Sequence, residues 1–74
     1  MTPAESEQLA AKCAAKIYAD MIANVDSFWD HKIEYGEFHA RQGELWFRAT
    51  AAGVVRTISD WIAGKTRPAN LPKE

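Results

Sequence analysis

The chain has 74 residues, 47% of them apolar, and its formal net charge is −1. This length limits it to one small domain near the lower limit for a self-sufficient core, and the apolar content is too high for a disordered segment. The near-zero charge argues against avid electrostatic binding to nucleic acid. A lone cysteine, Cys13, excludes an intrachain disulfide, and the polar N-terminus has no signal-peptide pattern, so a reducing, cytoplasmic location is expected.

The charge is divided unevenly along the chain. Residues 1–37 contain three Lys or Arg and seven Asp or Glu, whereas residues 38–74 contain six and three. Two interpretations remain open. The two halves pack together and their charges pair, or the basic half is a surface for an acidic partner.

The first predicted helix spans residues 3–31. Thr2 is a suitable N-cap, Pro3 suits the first helical position, and Glu5 completes a capping box. Apolar residues then recur with helical spacing and form a stripe: Ala10, Ala14, Ile17, Met21 and Phe28. His31 and Lys32 suit a helix C-terminus, where positive side chains meet the last carbonyls.

A second face of the same helix consists of alanines four residues apart. They are Ala11, Ala15, Ala19 and Ala23. Alanine favours the helix intrinsically, which alone can explain the series. The series also allows a second helix to approach closely, and a second copy of the chain is the expected neighbour.

The second predicted helix spans residues 35–52, with Phe38, Leu45 and Ala49 on one line. The short connection between the two helices predicts an antiparallel helical hairpin. At Gly53 the apolar pattern changes, which indicates a bent or separate third segment over residues 54–63. The expected fold is therefore all-α, assembled as a dimeric helical bundle, with one domain over 1–64 and an extended tail over 65–74.

Titratable residues gather around the connection between the first two helices: Asp26, Asp30, His31, Glu34, Glu37 and His39. Charged side chains are common in such turns, and no recognised metal-binding spacing or nucleophile–base pair is present. The sequence therefore predicts no catalytic residues, no metal and no cofactor.

The three tryptophans are a high number for a chain of this length. Trp, Tyr and Arg are the residue types that anchor protein interfaces, whereas small cores usually need only one or two indoles. Trp29 is expected to close the core near the turn. The predicted partner-binding residues are Tyr35, Arg41, Trp46, Arg48, Arg56 and Trp61. The resulting hypothesis is a non-enzymatic adaptor or inhibitor that covers a partner protein's surface.

Residues 57–68, TISDWIAGKTRP, suggest an alternative function. This string resembles the recognition helix and exit loop of Cro/repressor-type helix-turn-helix proteins. The resemblance implies a transcriptional regulator whose 54–68 segment enters the major groove. Its implied DNA contacts are Thr57, Ser59, Lys65 and Arg67.

Overall fold

A computed structural model describes residues 2–64 of the chain. This range contains three helices and no strand: α1 spans Pro3–Trp29, α2 spans Tyr35–Ala52 and α3 spans Val55–Ile62. The all-α prediction is confirmed. None of these helices combines the length and hydropathy needed to cross a bilayer. The predicted tail over 65–74 lies outside the described residues.

The start of α1 follows the predicted signal. The Thr2 hydroxyl accepts a hydrogen bond from the Glu5 backbone N–H at 3.2 Å and donates one to the Glu5 carboxylate at 3.0 Å. Pro3 occupies the first helical position, where its missing N–H leaves no bond unmade. This local chemistry fixes where the helix begins, although residues 2–13 are all exposed.

The end of α1 comes two residues earlier than predicted, at Trp29. His31 adopts the left-handed conformation, with φ of 59°, and its N–H donates to Phe28 O at 3.0 Å. The Lys32 N–H donates to Ser27 O at 2.9 Å. These two bonds form a Schellman motif, which satisfies the last carbonyls by reversing the chain rather than by placing a positive side chain beside them.

A second Schellman motif separates α2 from α3. Gly53 has φ of 73° and its N–H donates to Thr50 O at 3.1 Å, while the Val54 N–H donates to Ala49 O at 3.0 Å. Glycine takes this conformation without steric cost. The third segment is therefore a separate helix, and it is one residue shorter at each end than the predicted 54–63.

The core lies between the middle of α1, the second half of α2 and the whole of α3. Its buried apolar residues are Ala14, Ala15, Ile17, Met21, Leu45, Ala49, Val54, Ile58 and Trp61. The predicted stripe of α1 is thus buried at its centre, whereas Ala10 is exposed. The first third of α1 extends beyond the contacts that bury the rest.

Three contacts position the helices. The Phe28 and Phe38 rings stack with centroids 4.9 Å apart, and the Asn24 amide donates to Phe38 O at 3.0 Å. Nearer the start of α1, Tyr18 packs against Trp61 of α3 with ring centroids 5.5 Å apart. The end of α1 therefore meets the beginning of α2, and α3 covers the middle of α1.

Candidate functional site

The structure distributes the predicted partner-binding residues over different environments. Tyr35 is exposed at the connection between α1 and α2, and Arg56 is exposed on α3. Trp46 is half-buried against the core, whereas Trp61 is only 6% exposed and belongs to it. Trp61 therefore has little area to offer a partner.

Two of the predicted arginines line a common groove between α1 and α2. Arg41 and Arg48 both border it, together with Asn24. Each arginine pairs with a glutamate four residues earlier on its own helix: Arg41 with Glu37 at 2.7 Å and Arg48 with Glu44 at 2.8 Å. All four side chains are about half exposed, so the pairs add little stability but partly balance the positive charge.

Asn24 is a buried polar residue that the sequence analysis did not single out. Its Nδ2 donates to Phe38 O and to Gln42 Oε1, both at 3.0 Å. Because a carbonyl can only accept, these bonds fix the amide orientation and leave Oδ1 without a partner among the described residues. The available signal was spacing, since Asn24 follows Ile17 and Met21 by seven and three residues.

Four aromatic residues lie together where α1 ends and α2 begins. We call them the turn cluster: Phe28, Trp29, Tyr35 and Phe38. Phe28 is half-buried and contacts all three other rings, with centroids 4.9–6.0 Å apart. Trp29 and Tyr35 flank it and are 71% and 62% exposed. The Schellman motif at His31 turns the chain so that these rings meet. The expectation that Trp29 closes the core is wrong.

An open groove of about 470 Å³ borders the turn cluster. Its lining residues are Phe28, Trp29, His31, Ile33, Glu34 and Tyr35. Glu34 is the N-cap residue of α2, yet its side chain makes no capping hydrogen bond. The carboxylate is exposed at the edge of an aromatic surface, where it is available to a ligand.

The titratable residues near the turn do not assemble into a metal site. Within residues 2–64, no three His, Cys, Asp or Glu side chains are grouped as ligands.

Of the implied DNA contacts, Thr57 is exposed and Ser59 is half-buried on α3. Lys65 and Arg67 lie outside the described residues.

No family model matches this chain, and neither a curated protein nor a solved structure shows significant similarity to it. Its function is therefore argued from the geometry of the described residues alone.

Proposed function

We propose that this protein is a small, non-enzymatic protein–protein interaction module, an adaptor or inhibitor that acts by covering a partner's surface. The supporting observation is the turn cluster, in which Trp29 and Tyr35 are largely exposed. The half-buried Phe28 ring contacts both of them edge-on. Aromatic residues grouped on a surface and bordered by charged side chains are typical of the centre of a protein interface.

The magnitude of the expected contact supports an interface of modest size. An aromatic side chain buries about 150–250 Å², and burial contributes roughly 25 cal/mol per Å². Covering the exposed parts of Trp29 and Tyr35 therefore contributes on the order of 5 kcal/mol before entropy costs. A micromolar complex requires about 8 kcal/mol, so further contacts must come from the surrounding polar surface.

The proposed assembly retains the antiparallel hairpin and the homodimer. Contacts support the first, because Phe28 meets the beginning of α2 while Tyr18, ten residues earlier, meets α3, which follows α2. The alanine series supports the second, because Ala11, Ala19 and Ala23 are exposed. In this proposal Arg41, Arg48 and Arg56 orient an acidic partner around the aromatic contact.

Site-specific photocrosslinking tests the proposal in the full chain expressed in its native cells. A crosslinking amino acid at position 35 should give a discrete adduct with a partner protein. The same residue at position 47 is the control, because Phe47 is 72% exposed but does not line the groove that borders Tyr35. Trp29→Ala should abolish the adduct at position 35. Equal adducts from both positions, or none from either, would contradict the proposal.

The junction between α2 and α3 favours a second candidate function, DNA binding. Two helices joined at a left-handed glycine, Gly53, are also the arrangement of a helix-turn-helix motif. Ala49 and Ile58 are both fully buried across this junction, and Thr57 is exposed on α3. A mobility shift at low salt that is lost on combined Lys65→Ala and Arg67→Ala substitution would support this function. If the unsubstituted chain produces no mobility shift of duplex DNA, the DNA-binding function is eliminated.

A further inference from the structure

Three aromatic side chains, Phe28, Trp29 and Tyr35, line the open groove. The Trp29 and Tyr35 rings each stand at 64° to the Phe28 ring, with centroids 5.9 and 6.0 Å from it. Within residues 2–64, no ring contact joins Trp29 directly to Tyr35, and both line the groove. A group entering the groove therefore meets aromatic surface on more than one side. Aromatic faces carry negative electrostatic potential and attract cations within about 6 Å of their centroids.

The one carboxylate that lines the groove gives it the sign of charge that a cation requires, and the lining also includes the His31 imidazole. Glu34 lines it, and the Glu34 carboxylate has no ion pair with any described residue. Residues 26–37 include four carboxylates, at positions 26, 30, 34 and 37, but only one lysine. That lysine, Lys32, does not line the groove. Of these carboxylates, Glu37 is paired with Arg41.

We propose that this groove binds the alkylammonium group of a lysine side chain presented by a partner protein, with Trp29, Tyr35 and Phe28 as the walls and Glu34 as the counter-charge. The inference rests on the proposed interaction function and names the chemistry that the partner must carry. It places the partner's lysine in the groove that Glu34 lines, apart from the groove that Arg41 and Arg48 line.

Anions and neutral apolar side chains fit this groove less well than an alkylammonium group does. An anion would meet the aromatic faces and the Glu34 carboxylate, which repel it and outnumber the single imidazole of the lining, His31. A neutral apolar side chain would cover Glu34 without supplying a counter-charge, and burying an unpaired carboxylate is costly. An alkylammonium group satisfies both surfaces, because its methylene or methyl groups contact the rings while its charge faces the carboxylate. N-methylation enlarges the apolar contact and retains the charge, so a trimethyllysine derivative is the most sensitive probe.

Titration of the full chain with Nα-acetyl-trimethyllysine methylamide, followed by two-dimensional NMR, tests the inference. Three tryptophan indole resonances are expected, and the Trp29→Phe variant assigns one of them. The probe should move the Trp29 indole resonance and leave those of Trp46 and Trp61 in place. The neutral isostere, with carbon replacing the quaternary nitrogen, should bind about tenfold more weakly because it lacks the cation–π attraction. Equal affinity for the two compounds would overturn the inference.

Single substitutions locate the binding groups. Trp29→Ala and Tyr35→Ala should each eliminate the saturable shift, and Glu34→Gln should weaken binding several-fold, with less salt dependence than the unsubstituted chain shows. Phe47→Ala is the matched control, since it removes an equally exposed aromatic ring outside the groove and should leave binding unchanged. Binding that survives loss of both Trp29 and Tyr35 would place the site elsewhere.

The outcomes separate this inference from the proposed function. A partner adduct at position 35, together with no response to millimolar probe, would overturn the alkylammonium site and leave the interaction module standing. Binding of the probe with no protein adduct would contradict the interaction module instead.

Phosphatidylcholine vesicles provide the remaining comparison, because their headgroup carries the same quaternary ammonium. Sedimentation of the chain with these vesicles, but not with phosphatidylglycerol vesicles, would overturn assignment of the cation to a protein.

Discussion

Asn24 is a buried polar residue whose side chain links α1 to α2 by hydrogen bonds. Among residues 2–64 it is the only buried polar residue, at 4% exposure. Its amide crosslinks α1 to the Phe38 carbonyl and the Gln42 side chain of α2, while Oδ1 has no described donor. A half-satisfied buried amide contributes less to stability than to defining which part of α2 faces α1.

We predict that two substitutions of Asn24 change the free energy of unfolding by very different amounts. Asn24→Leu removes the unpartnered oxygen together with the two donor bonds, so the free energy of unfolding should change by no more than about 1 kcal/mol. Asn24→Asp replaces the donor with a carboxylate facing two acceptors, and should cost about 3 kcal/mol or more. Urea unfolding midpoints at neutral pH measure both. Similar midpoints for the two variants would show that Asn24 is not held by its donor bonds.

The tryptophans give a second prediction at the residue scale. Trp61 is 6% exposed against Tyr18 and Ile58, so Trp61→Ala should cost about 3–5 kcal/mol, which is comparable to the total stability of a small domain. Trp29 is 71% exposed, and Trp29→Ala should change stability by about 0.5 kcal/mol or less. Thermal melts followed by circular dichroism check the contrast. Equal losses would mean that Trp29 is covered in the working state, for example by self-association.

The helices end through backbone conformation rather than side-chain charge. His31 and Gly53 both take positive φ, at 59° and 73°, and both precede a backbone N–H that donates to the residue five positions earlier. A glycine accepts this conformation freely, whereas a histidine does so at some steric cost. The first ending was therefore harder to locate from sequence than the second.

At the element scale, replacing glycine by alanine should have opposite effects on stability at the end of α2 and inside it. Gly53→Ala forces a methyl group into the left-handed region and should destabilise the chain by about 1–2 kcal/mol. Gly43 lies within α2 with nothing within 4 Å of its added Cβ, so Gly43→Ala should stabilise by up to about 1 kcal/mol. Chemical denaturation of both variants measures the difference. A destabilised Gly43→Ala would indicate that another helix approaches this position in solution.

The part of the chain that the structure describes, residues 2–64, buries little apolar surface for its length. Within residues 2–64 the core consists of nine apolar residues, of which three are alanines, and Ile58 is the only large side chain there that is fully buried. Chains of this size usually gain stability from a metal, disulfides or association. Three of the four residues in the alanine series of α1 are exposed, which leaves a smooth face for a second copy.

We therefore predict a reversible dimer of about twice the 8.3 kDa chain mass, detected by light scattering across a concentration series. Ala19→Glu should shift it to monomer, because a carboxylate in a close helix contact is desolvated without a partner. Ala51→Glu is the control, since Ala51 is also exposed but lies on α2. A monomer at every concentration would leave the alanine series explained by helix propensity alone.

The sequence by itself determined the elements, because their signals are local. Thr2 and Pro3 specify where α1 begins, and Gly53 specifies where α2 ends through its access to positive φ. The bounds predicted for α2 agree with the structure. The apolar spacing around Ile17 and Met21 likewise identified the face of α1 that is buried, since a helical period requires only that neighbouring turns share a partner.

Only the tertiary structure decided which aromatic residues are core and which are surface. Trp29 and Trp61 occupy similar positions near the ends of their helices, yet α3 packs where it buries Trp61 against Tyr18, and Trp29 remains exposed. Helical periodicity gives each residue a direction around its own axis, but it does not state which side of α1 and α2 the third helix will cover. The meeting of Phe28, Trp29 and Tyr35 around one groove depends on the chain reversal at His31, where a residue other than glycine adopts a left-handed conformation that no local pattern signalled.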